Sequence, residues 1–149
     1  MNEEKYREKL IKARERKGWS VHKAATQVEA NFITNRASYY DIELCDGDLT
    51  SCCSLNQIVR ICKLLNIHPS DLFCDEKPAA ISISDAIEKI KTHCADKKIS
   101  ICEFENIAGW RVESCLNNPA NALYEWGIDC LIDVCRELQI DWRCVITGL

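Results

Sequence analysis

The sequence predicts an all-α protein of two small helical domains, the second a degenerate repeat of the first. Three observations predict it: apolar residues recur at helical spacing behind helix-capping residues, a polar proline-containing stretch divides the chain near its middle, and the order of signals before that stretch returns after it. An apolar share of 47% and a charged share of 28% belong to a chain that packs a core, not to a disordered one.

Tyr6, Leu10, Ile11 and Ala13 share one face of a helix expected over residues 3 to 17, with Gly18 as its stop. Ser20 then caps a second helix through Val28, and a third is expected to begin near Asn35, which can cap it, and to run through SYYDIE to Leu44. After the polar turn CDGDLTS, Ser54 caps a fourth helix, LNQIVRICKLL, and Pro69-Ser70-Asp71 opens a short fifth that ends at Phe73. Residues 1–75 make the first domain and the aperiodic stretch at 76–80 the linker.

In the second domain, residues 81–149, a helix over residues 84 to 97 leads into Ser100 as a cap, as the first helix leads into Ser20. Further on, IDCLIDVCRELQIDWRCVI lies on LNQIVRICKLLNIHPSDLF without a gap: Leu55 meets Ile128, Ile58 meets Leu131, Cys62 meets Cys135 and Ile67 meets Ile140. Two unrelated amphipathic helices would also share apolar spacing, but the match continues through the following turn, which favours an internal duplication.

Eleven cysteines at irregular intervals, most at positions where a helix needs a small apolar residue, such as Cys62, Cys130 and Cys135, read as reduced thiols of a cytoplasmic protein. There is no C-x-x-C or HExxH pattern, so neither a metal nor another cofactor is expected. The charged start MNEEKYREKL and the short apolar runs give no membrane-directing segment. No catalytic residue is predicted, because His22, His68 and His93 stand apart from any serine, carboxylate or glycine-loop motif. Charge is uneven: residues 1–75 carry 11 Lys and Arg against 11 Asp and Glu, while residues 76–149 carry 8 against 12 and suit a phosphate backbone poorly.

The segment from Lys9 to Phe73, through KARERKGWS, HKAATQV, SYYDIE and LNQIVRICKLLNIHPSDLF, resembles the Cro and CI repressor type of helix-turn-helix domain. The resemblance implies a five-helix fold in which an arginine four residues before a glycine, here Arg14 before Gly18, pairs with a glutamate closing the third helix, here Glu43. It also implies that Ala25 sits where the second and third helices cross, and that Tyr39 faces the core. The first residues of the third helix and one a turn later would face base edges: Asn35, Arg36, Ala37 and Asp41, with Tyr40 either a phosphate contact or an exposed protein anchor. Arg36 suits guanine, Asn35 adenine or a phosphate and Ala37 a thymine methyl, whereas Asp41 suits only a cytosine amine.

The sequence departs from the family pattern in about four extra residues around EANFITN, between the second and third helices. The second half has Cys94 where Arg14 would be, and few cations beside Trp110, Trp126 and Trp142. Lys9, Lys12, Arg14, Arg16 and Lys17 offer phosphate contacts, or else form an ordinary solvated face interleaved with Glu8 and Glu15.

The resemblance implies a DNA-binding transcriptional regulator acting on double-stranded DNA as a homodimer, or as an intrachain pseudo-dimer with the second half in the partner's place. The alternative is an immunity or antitoxin-type protein that uses the scaffold to neutralise a basic toxin. A net charge of −4 suits such a partner, and Tyr40 and the tryptophans would supply its anchors.

Overall fold

The computed structural model describes residues 3–31 and 38–149, and all regular structure among them is helical. The first half runs α1 (Glu3–Arg16), α2 (Val21–Asn31), α3 (Tyr39–Leu44), a π-helical turn (Asp48–Cys52), α4 (Leu55–Leu64) and α5 (Pro69–Phe73). The second runs α6 (Ile83–Lys97), α7 (Ile101–Ala108), α8 (Glu113–Asn117), α9 (Asn121–Glu125), α10 (Ile128–Glu137) and α11 (Trp142–Thr147). None of these helices is long and apolar enough to cross a membrane.

Local chemistry sets the helix starts. Ser54 accepts from the Gln57 amide while Gln57 reaches back to the Ser54 amide at 2.8 Å, and Ser100 with Glu103 does the same at the head of α7. Ser20 accepts from the Lys23 amide at 3.1 Å. The third helix corrects the expected cap: it starts at Tyr39, and Ser38 rather than Asn35 holds its end. From Ser38 the apolar Tyr39 and Ile42, a helical turn apart, both reach the core and are fully buried.

The capping carboxylates carry a pH signature. The hydroxyl and amide of Ser38 hold the Asp41 carboxyl below its ordinary value of 3.8, and the amide and hydroxyl of Ser100 hold Glu103 below 4.5. A carboxyl that ionises more readily in the folded state stabilises the fold fully above its unfolded pKa, and that contribution is lost as pH falls through the depressed folded value. The midpoint of thermal unfolding should therefore hold from neutral pH to about 5 and drop on further acidification. An Asp41→Asn, Glu103→Gln variant followed by circular dichroism should show a shallower drop, and an unchanged slope would count against the caps.

The same turns recur in the two halves. The Trp19 amide donates to the Arg14 carbonyl at 3.3 Å and the Ile99 amide to Cys94 at 3.0 Å, around Gly18 and Lys98, both left-handed with φ of 68° and 54°. Likewise the Ile67 amide donates to Cys62 and the Ile140 amide to Cys135, each at 3.0 Å, around Asn66 and Gln139 with φ of 57° and 56°. The halves differ between their second and third helices: α7 passes to α8 through a short turn at Gly109, whose φ of 79° allows the abrupt reversal, where residues 32–38 separate α2 from α3 in the first half.

Packing between the halves is reciprocal. α5 lies on α11, α4 on α9, and α10 on the π-helical turn. The Leu55 amide at the head of α4 donates to the Trp126 carbonyl at 2.8 Å, and Phe73 meets Trp142 edge to face with ring centres 6.1 Å apart. Gly127 enters so closely that a Cβ there would stand 3.1 Å from the carbonyl oxygens of Thr50 and Cys53. The segment at 75–80 is without helix, and the Ile81 amide just beyond it is tied to α11 through the Cys144 carbonyl at 2.9 Å. Buried apolar residues of both halves belong to one continuous cluster.

All eleven cysteines are free thiols. Seven are buried, and burial pushes the thiols of Cys53, Cys62 and Cys135 up to about 12, which suppresses the nucleophilic thiolate. Alkylation of the native protein followed by mass spectrometry should label exposed Cys45 and Cys102 first, then half-buried Cys52 and Cys144, and the rest only after unfolding. A stable disulfide, or early labelling of Cys62, would contradict this ordering.

Candidate binding surface

The side chains singled out in the sequence separate into scaffold and surface. Arg14 and Glu43, 7% and 6% exposed, form a two-pronged pair: Arg14 Nε donates to Glu43 Oε1 at 2.6 Å and Nη2 to Oε2 at 3.0 Å. The remaining prong, Nη1, donates to the Trp19 carbonyl at 2.7 Å, so one side chain ties α1 to α3 and to the turn into α2. The hydrogen bond to Glu43 is the main cause that raises the Arg14 pKa above its ordinary value. Ala25 and Tyr39 are both buried.

On the outer side of α3, Tyr40 is 38% exposed and shares a hydrogen bond with His22 Nδ1 at 2.8 Å, and Leu44 is 73% exposed. Asp41 is spent on its own helix, accepting from the Ser38 hydroxyl at 2.7 Å and the Ser38 amide at 3.2 Å. Both bonds fall on Oδ2, so the carboxylate clamps the start of its own helix. Asn35, Arg36 and Ala37 lie outside the described residues.

Most of the basic cluster on α1 is also committed. Besides Arg14, Lys9 donates to the Cys74 carbonyl at 3.0 Å and to Asp75 at 3.2 Å, while Lys17 donates to the Leu64 carbonyl and stands 4.4 Å above the Trp19 ring. Lys12 faces Glu8 at 3.8 Å, and Arg16 bonds back to the Lys12 carbonyl at 3.3 Å. Arg7 holds the far end of α3, donating to the Leu44 carbonyl at 3.2 Å and pairing with Asp46 at 2.6 Å.

The tryptophans fare unequally as anchors. Trp126, at the end of α9, is 1% exposed and belongs to the core, and Trp142 at the head of α11 packs half-buried on Phe73, because α9 and α11 form the contact between the halves. Trp110 is open, at the turn into α8, with its indole N–H donating to Asp133 at 2.9 Å. The start of α8 is held by buried Glu105, whose carboxylate accepts from the Val112 and Glu113 amides at 2.7 and 3.0 Å. Burial pushes this carboxyl up, but the two N–H bonds hold it below its ordinary value. The outward side chains of α8 include Glu113, Ser114 and Asn117.

A cleft of about 370 Å³ opens where the π-helical turn and the head of α4 meet α9 and the head of α10. Its lining draws on matched positions of the two halves: Ser51 with Tyr124, Cys52 with Glu125, Ser54 with Gly127 and Gln57 with Cys130, in the same register that sets Leu55 on Ile128. Trp110 closes one side. A hydrogen bond of 2.6 Å from the Ser51 hydroxyl to Asp129 spans it, and Ser114 on α8 donates to Glu125 at 2.5 Å. Among the described lining residues none is Lys or Arg.

Apart from Trp110, the cleft residues were missed in the sequence. The signal was the gapless alignment itself, which reaches Ser51 and Tyr124 when carried back one turn from Leu55 and Ile128. Among the described residues, no three His, Cys, Asp or Glu side chains are grouped so as to hold a metal ion. No family model, no curated protein and no solved structure matches the chain.

Proposed function

We propose that this chain is a non-enzymatic binding protein in which two helix-turn-helix units of the Cro and CI repressor type, the second a degenerate copy, form a built-in pair that engages a basic protein partner, as an immunity or antitoxin-type protein does. The observation that carries this reading is the charge of the face between α3 and α8. A paired helix-turn-helix protein docks with its third helices in successive major grooves, so the surface between them lies against the duplex at the dyad. Here that surface is the cleft with Glu125 and Asp129. The described parts of the two groove-entering helices expose Asp41 and Glu113 and carry no Lys or Arg, Glu43 being buried against Arg14. DNA affinity comes largely from cations that displace counterions from phosphates, and carboxylates in their place repel the backbone. The same acids steer a basic protein inward, and exposed Tyr40, Leu44, Trp110 and Tyr124 offer it apolar contact.

The DNA-binding regulator remains the second reading, favoured by the reciprocal packing of α5 on α11, which pairs the halves as subunits of a dimer pair on a palindrome. It would read bases through Asn35, Arg36 and Ala37. Titration against a pool of random duplexes at two salt concentrations, beside affinity capture from the native host, separates the two. We expect weak, sequence-independent DNA binding and stoichiometric capture of one basic protein, weakened by Tyr40→Ala. Enrichment of one duplex sequence at nanomolar affinity, with a steep salt dependence and loss in Arg36→Ala, would establish the regulator instead.

A further inference from the structure

We infer that the cleft between the halves is a guanidinium site, filled by an arginine side chain of the partner; the inference rests on the protein-binding reading above and names its anchor. Two independent features of the cleft converge on this chemistry. The first is aromatic: Trp110 and Tyr124, 39% and 63% exposed, border a cavity large enough for an entire side chain. The Trp110 ring is held in place by its 2.9 Å bond to Asp133. The second is charge. Asp129 and Glu125 each have one oxygen engaged by a hydroxyl, Ser51 at 2.6 Å and Ser114 at 2.5 Å, and each keeps the other oxygen without a hydrogen-bond partner among the described residues.

A planar cation answers both features at once. Guanidinium stacks on an aromatic face and presents its N–H groups in a fork that matches carboxylate oxygens. The Ser51 and Ser114 hydroxyls orient those carboxylates beforehand, which lowers the cost of ordering them on binding. A lysine ammonium also sits over an aromatic face, as Lys17 does over Trp19, but it is a compact, strongly hydrated charge with no planar fork to present to two carboxylates. A neutral ligand would cover the two carboxylates without a compensating positive charge, and a phosphate would meet them with like charge.

The test uses the full chain and two probes, N-acetyl-argininamide and its neutral isostere N-acetyl-citrullinamide, followed by ¹H–¹⁵N NMR. The arginine probe should shift the Trp110 indole and the Ser51, Tyr124 and Glu125 amides saturably, and the citrulline probe should bind at least about tenfold more weakly. Trp110→Ala and the double variant Glu125→Gln, Asp129→Asn should each weaken the arginine probe at least about fivefold, with signals from α1 and α6 unmoved. Equal binding of both probes, or no saturable shift at the cleft, would overturn the assignment. So would a captured basic partner whose affinity is indifferent to Trp110→Ala and to the double variant, and that result would leave the protein-binding reading standing. Trp110-dependent arginine binding with no basic protein captured from the host would do the reverse, removing the reading and keeping the site.

Discussion

Replacing Arg14 with alanine is expected to destabilise the protein by about 3 to 5 kcal/mol, a drop on the order of 10 °C in Tm for a chain of this length. The cost comes mainly from what is left behind: Glu43, 6% exposed, would keep a buried carboxylate with neither of its two donors, and the Trp19 carbonyl would lose the third. Glu43→Ala should cost a similar amount by stranding the guanidinium. The double alanine variant should cost clearly less than the two single losses together, because the second removal takes away the charge that the first orphaned. Replacing the pair by apolar residues of similar volume, Arg14→Met with Glu43→Leu, should recover most of the loss, since an intact buried ion pair contributes little net stability beside well-packed side chains. Urea unfolding of the five proteins measures all of this. Additive single losses would mean that the pair is not a coupled unit.

The Arg14 and Glu43 contact joins residues 29 positions apart, and it was legible only through the resemblance, which pairs an arginine four residues before a glycine with a glutamate closing the third helix. The caps at Ser20, Ser54 and Ser100 were legible from the residues themselves, since each is a short-range competition between one side chain and a few amides. The cap of α3 was harder, because Asn35 and Ser38 both suit the role. What decides is that counting from Ser38 sends Tyr39 and Ile42 inward, which depends on the core and not on the cap.

The π-helical turn was invisible. CDGDLTS reads as a polar loop, yet Gly47 at φ 92° and the Thr50 hydroxyl, bonded to Glu3 at 3.1 Å and to the Gly47 carbonyl at 3.1 Å, wind it into a turn against α1. Trp126 was misread for the same kind of reason: nothing within a few residues of it tells that α4 will cover it. The cleft combines both difficulties, since its two sides come from segments far apart in the chain that meet only when the halves pack.

That packing sets the second large effect. Trp126→Ala should cost about 3 to 5 kcal/mol, the usual loss for a large aromatic removed from a filled core, and it should loosen both halves equally. Trp126 is 1% exposed, its carbonyl accepts the Leu55 amide across the boundary, and the apolar cluster runs unbroken from Leu10 in α1 to Ile146 in α11. Were the halves two independent domains, the loss would stay in the second. Hydrogen exchange read by mass spectrometry distinguishes the cases: in the parent protein α1 and α10 should exchange with the same free energy of opening, and in Trp126→Ala both should fall by the same amount. A fragment ending at residue 80 should for the same reason show no cooperative unfolding, because it leaves Leu55 without the acceptor for its amide and Phe73 without Trp142. Protection of α1 that survives Trp126→Ala unchanged, or a sharp transition in the fragment, would show that the first half folds alone and that the pairing is a contact between finished units.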